Sequence, residues 1–142
     1  MLGKNIEKLS SLIQKLCNKF PKNDLNEMII FGSAAVTLHG RDLERKINDL
    51  DIFVSKSLFC ELKSKHSLIE IEKSKGVKYL QTGIPKIELW KSFPGVTFDI
   101  VKKNAEVRDQ SNGLLVASLE YLRIWKTTQG RTKDISDLKK ME

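Results

Sequence analysis

The sequence predicts an α+β domain: a small mixed sheet with helices packed on one side and a C-terminal helical segment. Three observations predict it. Residues 5–20 put Ile6, Leu9, Leu12, Ile13, Leu16, Cys17 and Phe20 on one helical stripe. Short apolar segments with period-two alternation fill the middle of the chain. Two further helix-period segments close it, separated by Gly130.

In chain order, "FPKND" ends the first helix, with Pro21 and Asn23-Asp24 as turn formers. "MIIF" (28–31) reads as a short buried strand that stops at Gly32. Ser33 then reads as the N-cap of a short helix over 34–39, which Gly40 closes. "DLERKIN" is a polar connector. "DLDIFV" (49–54) follows as a strand with Leu50, Ile52 and Val54 on one face and Asp49, Asp51 and Phe53 on the other. After a helix-like "KSLFCELKS" come "SLIEIE", "KYLQ", "KIELW" and "VTFDIV", a largely antiparallel meander broken at Gly76, Gly83 and Pro94-Gly95. In its last member (96–101) Thr97, Asp99 and Val101 share a face. The tail reads as two helices, with Leu119, Leu122, Ile124 and Trp125 near one stripe and Ile135 and Leu138 inward. No repeat or linker divides residues 1–142, so one domain is expected: an N-terminal helix (1–24), a core (25–104) and a helical tail (105–142).

Composition narrows the class of function. Twenty-five Lys and Arg against 18 Asp and Glu give a net charge of +7, which attracts polyanions and equally suits a solvated lysine-rich surface. Two cysteines are too few for a disulfide framework or zinc site, and a reducing, cytoplasmic setting is expected. No apolar run approaches the ~20 residues of a membrane span, and "MLGKNIEKLS" lacks a signal-peptide core. His39 and His66 have no partners at metal-ligand spacing. Trp90 and Trp125 are expected in or near the core.

The pattern that carries chemistry is the pair Asp49 and Asp51 in an otherwise apolar strand. Side by side near a low-dielectric core, the carboxylates repel unless they face water or hold a cation. All-oxygen, closely spaced ligands suit Mg²⁺, which borrows further oxygens from a bound phosphate. Asp99, expected at the same facing on a neighbouring strand, would complete the site, bind a second Mg²⁺ or accept a proton from an attacking hydroxyl. Gly32 and Ser33 supply a close backbone approach and a helix start suited to phosphate. Each feature alone is commonly a turn or a wet strand edge; their order along the chain points to transfer at phosphorus.

"FGS…NDLDIFV…TFDIV" resembles the nucleotidyltransferase fold of the DNA polymerase beta superfamily. Fifteen residues separate Ser33 from Asp49, and with "LHG" and "RKINDLDIF" the stretch is most similar to bacterial toxin-type (AbiEii-like) nucleotidyltransferases. Arg45 matches that group's arginine, and Ile47 stands where its threonine would be. The tail "SLEYLRIWKTTQGRTKDISDL" resembles its C-terminal basic region. The resemblance implies that Lys126 reaches the triphosphate, that Arg131, Lys133 and Asp134 support nucleotide binding or fold geometry, and that Arg45 belongs with the nucleotide-binding residues.

The expected activity is Mg²⁺-dependent transfer of a nucleoside monophosphate from a nucleoside triphosphate to an acceptor hydroxyl. Asp49, Asp51 and Asp99 would hold metal, and Gly32 and Ser33 the β- and γ-phosphates. The resemblance implies an RNA acceptor, such as a tRNA 3′ end, and a cognate antitoxin as partner. A small antibiotic-type acceptor, or a non-catalytic module binding nucleotide, RNA or protein, are the alternatives.

Overall fold

A computed structural model describes residues 1–108 and 112–142. The amphipathic N-terminal segment forms α1 (Leu2–Lys19), with Leu9, Ile13 and Leu16 buried along its stripe. It ends where Phe20 turns extended ahead of Pro21. A single turn, α2 (Lys22–Leu25), leads into β1 (Met28–Phe31), every residue of which is buried. Helix α3 (Gly32–Leu38) begins directly at the strand's end. The start is two residues earlier than expected, so Ser33 lies inside the first turn and Phe31 is the cap.

The polar connector crosses to β2 (Leu50–Val54), and α4 (Lys56–Lys65) follows, its first turn capped by Ser55 Oγ accepting from the Leu58 amide at 3.2 Å. The hairpin β3 (Glu70–Ser74) and β4 (Val77–Gln81) then precedes β5 (Ile87–Trp90). The chain continues as α5 (Phe98–Asn104), β6 (Glu106–Val107) and β7 (Leu115–Val116). It closes with α6 (Leu119–Gln129) and α7 (Thr132–Lys140), divided at the left-handed Gly130.

Among the described residues the strands form one seven-stranded mixed sheet in the order β3-β4-β5-β2-β1-β7-β6. β1 runs antiparallel to β2 and parallel to β7; β5 runs parallel to β2 and antiparallel to β4. The α+β class, the mixed sheet and the two C-terminal helices agree with the sequence expectation. Among the described residues no helix is long and apolar enough to cross a membrane.

Four expectations need correction. "VTFDIV" is not a strand: its residues enter α5, because Phe98 and Val101, one helical turn apart, both turn toward the core. The sheet is not covered by helices on one side alone. On the Phe53 face, Phe31, Phe53, Phe93, Phe98 and Trp125 form an aromatic cluster with neighbouring centroids 4.5–5.6 Å apart. Ile124 is exposed, since α6 buries Leu122, Trp125 and Lys126 instead. Ile135 is also exposed, and α7 turns Asp134 and Asp137 inward.

Candidate active site

The strand register sets the site. Phe31 at the end of β1 lies opposite Asp51 on β2, and Asp51 lies opposite Glu88 on β5. Opposed residues of neighbouring strands share a face, so the Asp51 and Glu88 side chains stand next to each other. Gly32 follows β1 immediately and has φ +65°, a conformation that L side chains rarely adopt. A Cβ there would stand 3.5 Å from Oδ2 of Asp51 and 3.7 Å from the Trp125 ring. A side chain there would make only ordinary contact, so the demand for glycine comes from its left-handed φ.

The two carboxyls share an unfavourable environment. Burial pushes Asp51 above its ordinary value, with Asp49 adding repulsion; the Trp90 hydrogen bond and the charges of Lys73 and Lys133 oppose the rise. Burial also pushes Glu88 up, and repulsion from Asp51 adds to it. Trp90 donates its indole N–H to Oδ1 of Asp51 at 3.3 Å. Its ring stacks on Tyr79 at 4.9 Å.

Behind Ser33 lies a buried charge network. The Ser33 hydroxyl oxygen accepts from the Arg45 guanidinium at 2.9 Å and from the Lys126 ammonium at 3.3 Å. Both cations also hold Oδ2 of Asp137, at 2.6 and 2.8 Å. Arg131 pairs with Asp134 at 2.6 Å, and Lys126 lies 3.7 Å from the same carboxylate. Burial raises both aspartates, but the hydrogen bonds and charges of Arg131, Arg45 and Lys126 outweigh it and hold both below the ordinary range. Arg45 reaches this position because Asn5 fixes the connector: its side-chain amide donates to the Arg45 carbonyl and its oxygen accepts from the Ile47 amide.

The two halves face a cleft of about 650 Å³ lined by Ser33, Asp51, Trp90, Trp125, Lys73 and Lys133, among others. Lys133 is pushed below its ordinary value by burial and by the neighbouring cations Arg131, Arg45 and Lys126. An anion placed there relieves that repulsion. Among the described residues, two buried donors, Arg45 Nε and the Trp125 indole N–H, have no acceptor.

Gly32, Ser33, Asp51, Arg45, Lys126, Arg131, Lys133 and Asp134 therefore gather around one cleft or its supporting network. Asp49 is close enough to raise Asp51 and Glu88, but it precedes the ladder, is 61 % exposed and lies 3.8 Å from Lys86. Asp99 is not part of the site: it is exposed on the first turn of α5, outside both the cleft lining and the charges acting on Asp51. Lys126 points into the network rather than into open solvent and is fully buried. Sequence reading missed Glu88 and Asp137. The alternation of "KIELW" marked Glu88 as sharing a face with Trp90, but only the β2–β5 register brings it to Asp51.

Among the described residues no three histidine, cysteine or acidic side chains converge into a ready-made metal cage. The Asp51–Glu88 pair still fits Mg²⁺, which is commonly held by one or two carboxylates together with substrate phosphates. Its excess negative charge is what a cation would neutralise. Comparison of the chain with protein-family models, with curated proteins and with solved structures finds no match.

Proposed function

We propose that this chain is a Mg²⁺-dependent nucleotidyltransferase of the polymerase beta type, built on that superfamily's fold. The observation that carries the reading is Asp51, in register with Glu88 on the adjacent strand, beside Gly32 and lining a cleft with Lys73, Arg131 and Lys133. Asp51 and Glu88 hold the metal, with Asp49 able to join by leaving Lys86. Bound Mg²⁺ supplies charge neutralisation of the triphosphate and Lewis-acid activation at its α-phosphorus. Ser33 and the α3 start take the β- and γ-phosphates, and Lys133 and Arg131 offset their charge.

The acceptor oxygen attacks the α-phosphorus, and the bond to the oxygen bridging the α- and β-phosphates breaks. Pyrophosphate leaves with that electron pair. The hydroxyl proton passes to bulk water as the new bond forms. Lys126 serves through Ser33 and Asp137 instead of touching phosphate directly. The net charge of +7 favours an RNA acceptor such as a tRNA 3′ end over a small neutral molecule.

A second reading, a nucleotide- or RNA-binding module without turnover, is favoured by the Asp49–Lys86 contact, which engages Asp49 with a cation of the protein itself. Transfer of label from α-³²P nucleoside triphosphates to total RNA decides between them, with Asp51→Ala and Glu88→Ala as controls. Mg²⁺-dependent label lost in both variants supports the enzyme. Pyrophosphate released only with small-molecule pools moves the acceptor away from RNA. Nucleotide binding with neither signal establishes the module.

A further inference from the structure

Trp90 makes a contact that core packing does not require. It sits on β5 two residues beyond Glu88, on the same face, and its register partner on β2 is Phe53. Asp51 is thus its diagonal neighbour across the ladder, a separation that long aromatic side chains can span. The indole N–H reaches Oδ1 of Asp51, while Oδ2 is the oxygen beside Gly32. One carboxylate oxygen is held by the protein and the other faces the Gly-Ser turn. The indole is itself fixed by the Tyr79 ring at 4.9 Å and by Lys73, whose ammonium lies 5.6 Å from its centroid.

We infer that Trp90 is a positioning residue for the metal site: its indole N–H fixes the Asp51 carboxylate so that Oδ2 is presented between β2 and the Gly32-Ser33 turn. The inference rests on the reading of Asp51 as a metal ligand. An unheld carboxylate must give up side-chain freedom whenever a cation binds, and partners that orient ligands typically contribute 10–100-fold in metal affinity. The aromatic packing of Trp90 is a separable property, because phenylalanine retains an apolar ring on Tyr79 and lacks only the donor.

The test uses the full chain, with Mn²⁺ as the probe and free Mn²⁺ counted by electron paramagnetic resonance. The wild-type protein is expected to bind Mn²⁺, and Asp51→Asn to abolish that binding. Trp90→Phe is expected to keep its fold and weaken Mn²⁺ about tenfold. Equal affinity in a folded Trp90→Phe overturns the inference and leaves the metal site standing. Wild-type binding that survives Asp51→Asn removes the metal reading itself, and the positioning role with it, as does no wild-type binding at all. A second measurement covers the case in which Trp90→Phe does not fold. In ¹⁵N-labelled protein, Asp51→Asn should shift the Trp90 indole N–H resonance, and an unmoved resonance shows that the contact does not exist in solution.

Discussion

Replacing Lys126 separates a structural cation from one that serves substrate alone. Its side chain is completely buried, with the ammonium 2.8 Å from Asp137 Oδ2, 3.3 Å from Ser33 Oγ and 3.7 Å from Asp134 Oδ1. Removing one partner of a buried ion pair costs about 3–5 kcal/mol when the other charge is left uncompensated. Asp137 is not orphaned in Lys126→Met, because Arg45 still holds the same oxygen at 2.6 Å. The expected cost of Lys126→Met is therefore at the low end, about 2–3 kcal/mol. Asp137→Asn is worse: it leaves the buried Lys126 with the more distant Asp134 as its remaining carboxylate contact, and it removes the carboxylate partner of Arg45. About 4–5 kcal/mol is expected there. For a chain of this size ~4 °C per kcal/mol translates these into losses of about 8–12 °C and about 16–20 °C. Thermal unfolding followed by circular dichroism, without nucleotide, measures both. A Lys126→Met protein as stable as the wild type would refute the reasoning. It would return the lysine to the substrate-facing role that the sequence resemblance implies.

Four shorter predictions follow from the same geometry. Glu88→Gln should raise the melting temperature at pH 7 while abolishing transfer. A carboxyl whose folded pKa is raised penalises the fold above that value, and the gain should fade as pH drops through it toward the ordinary 4.5. Asp134 and Asp137 act in the opposite sense. Their stabilisation is complete above the ordinary 3.8 and is lost as pH falls through their lower folded values. Acid unfolding monitored by fluorescence should therefore lose part of its low-pH limb in Asp137→Asn. Gly32→Ala should cost about 1–2 kcal/mol from its left-handed φ alone, read as a lower melting temperature by circular dichroism. Asp99→Asn should leave label transfer within about twofold of wild type, a difference of about 0.4 kcal/mol, since the side chain is exposed on α5 away from the cleft lining.

The half of the site formed by one local stretch was legible in the sequence. Phe31, Gly32 and Ser33 form a strand end and helix start, and Asp51 alternates against Leu50 and Ile52, so period and turn chemistry locate them. Asp99 misled because "TFDIV" satisfies two periods at once. Thr97, Asp99 and Val101 alternate as in a strand, while Phe98 and Val101 are a helical turn apart, and tertiary packing on Phe53 selects the helix. Glu88 was invisible as a partner of Asp51 because a parallel pairing between residues 37 apart leaves no local trace. Asp137 was hidden for a different reason. A hydrophobic stripe assigns Ile135 to the inside of α7, but Lys126 and Arg45 make it favourable to bury the two aspartates instead.

Those misplaced acids also explain how the cleft is charged. Burial pushes both Asp51 and Glu88 upward, Asp49 adds to the rise of Asp51, and Asp51 adds to that of Glu88. Positive charge lies close by: Lys73 and Lys133 act on Asp51, and Lys133 is itself repelled by Arg131, Arg45 and Lys126. The inward aspartates of α7 neutralise part of this positive charge, yet three cations of the network share two carboxylates, and Lys133 adds a fourth positive charge. On the proposed reading, these cations would attract a polyphosphate before any short-range contact forms. A cation entering alone is drawn only to the carboxylates. On the proposed reading, metal held by the carboxylates and triphosphate held by the cations would each reduce the repulsion that the other leaves behind. Binding of the two is expected to be mutually reinforcing, and that coupling comes from placing Lys133 of α7 close enough to act on Asp51.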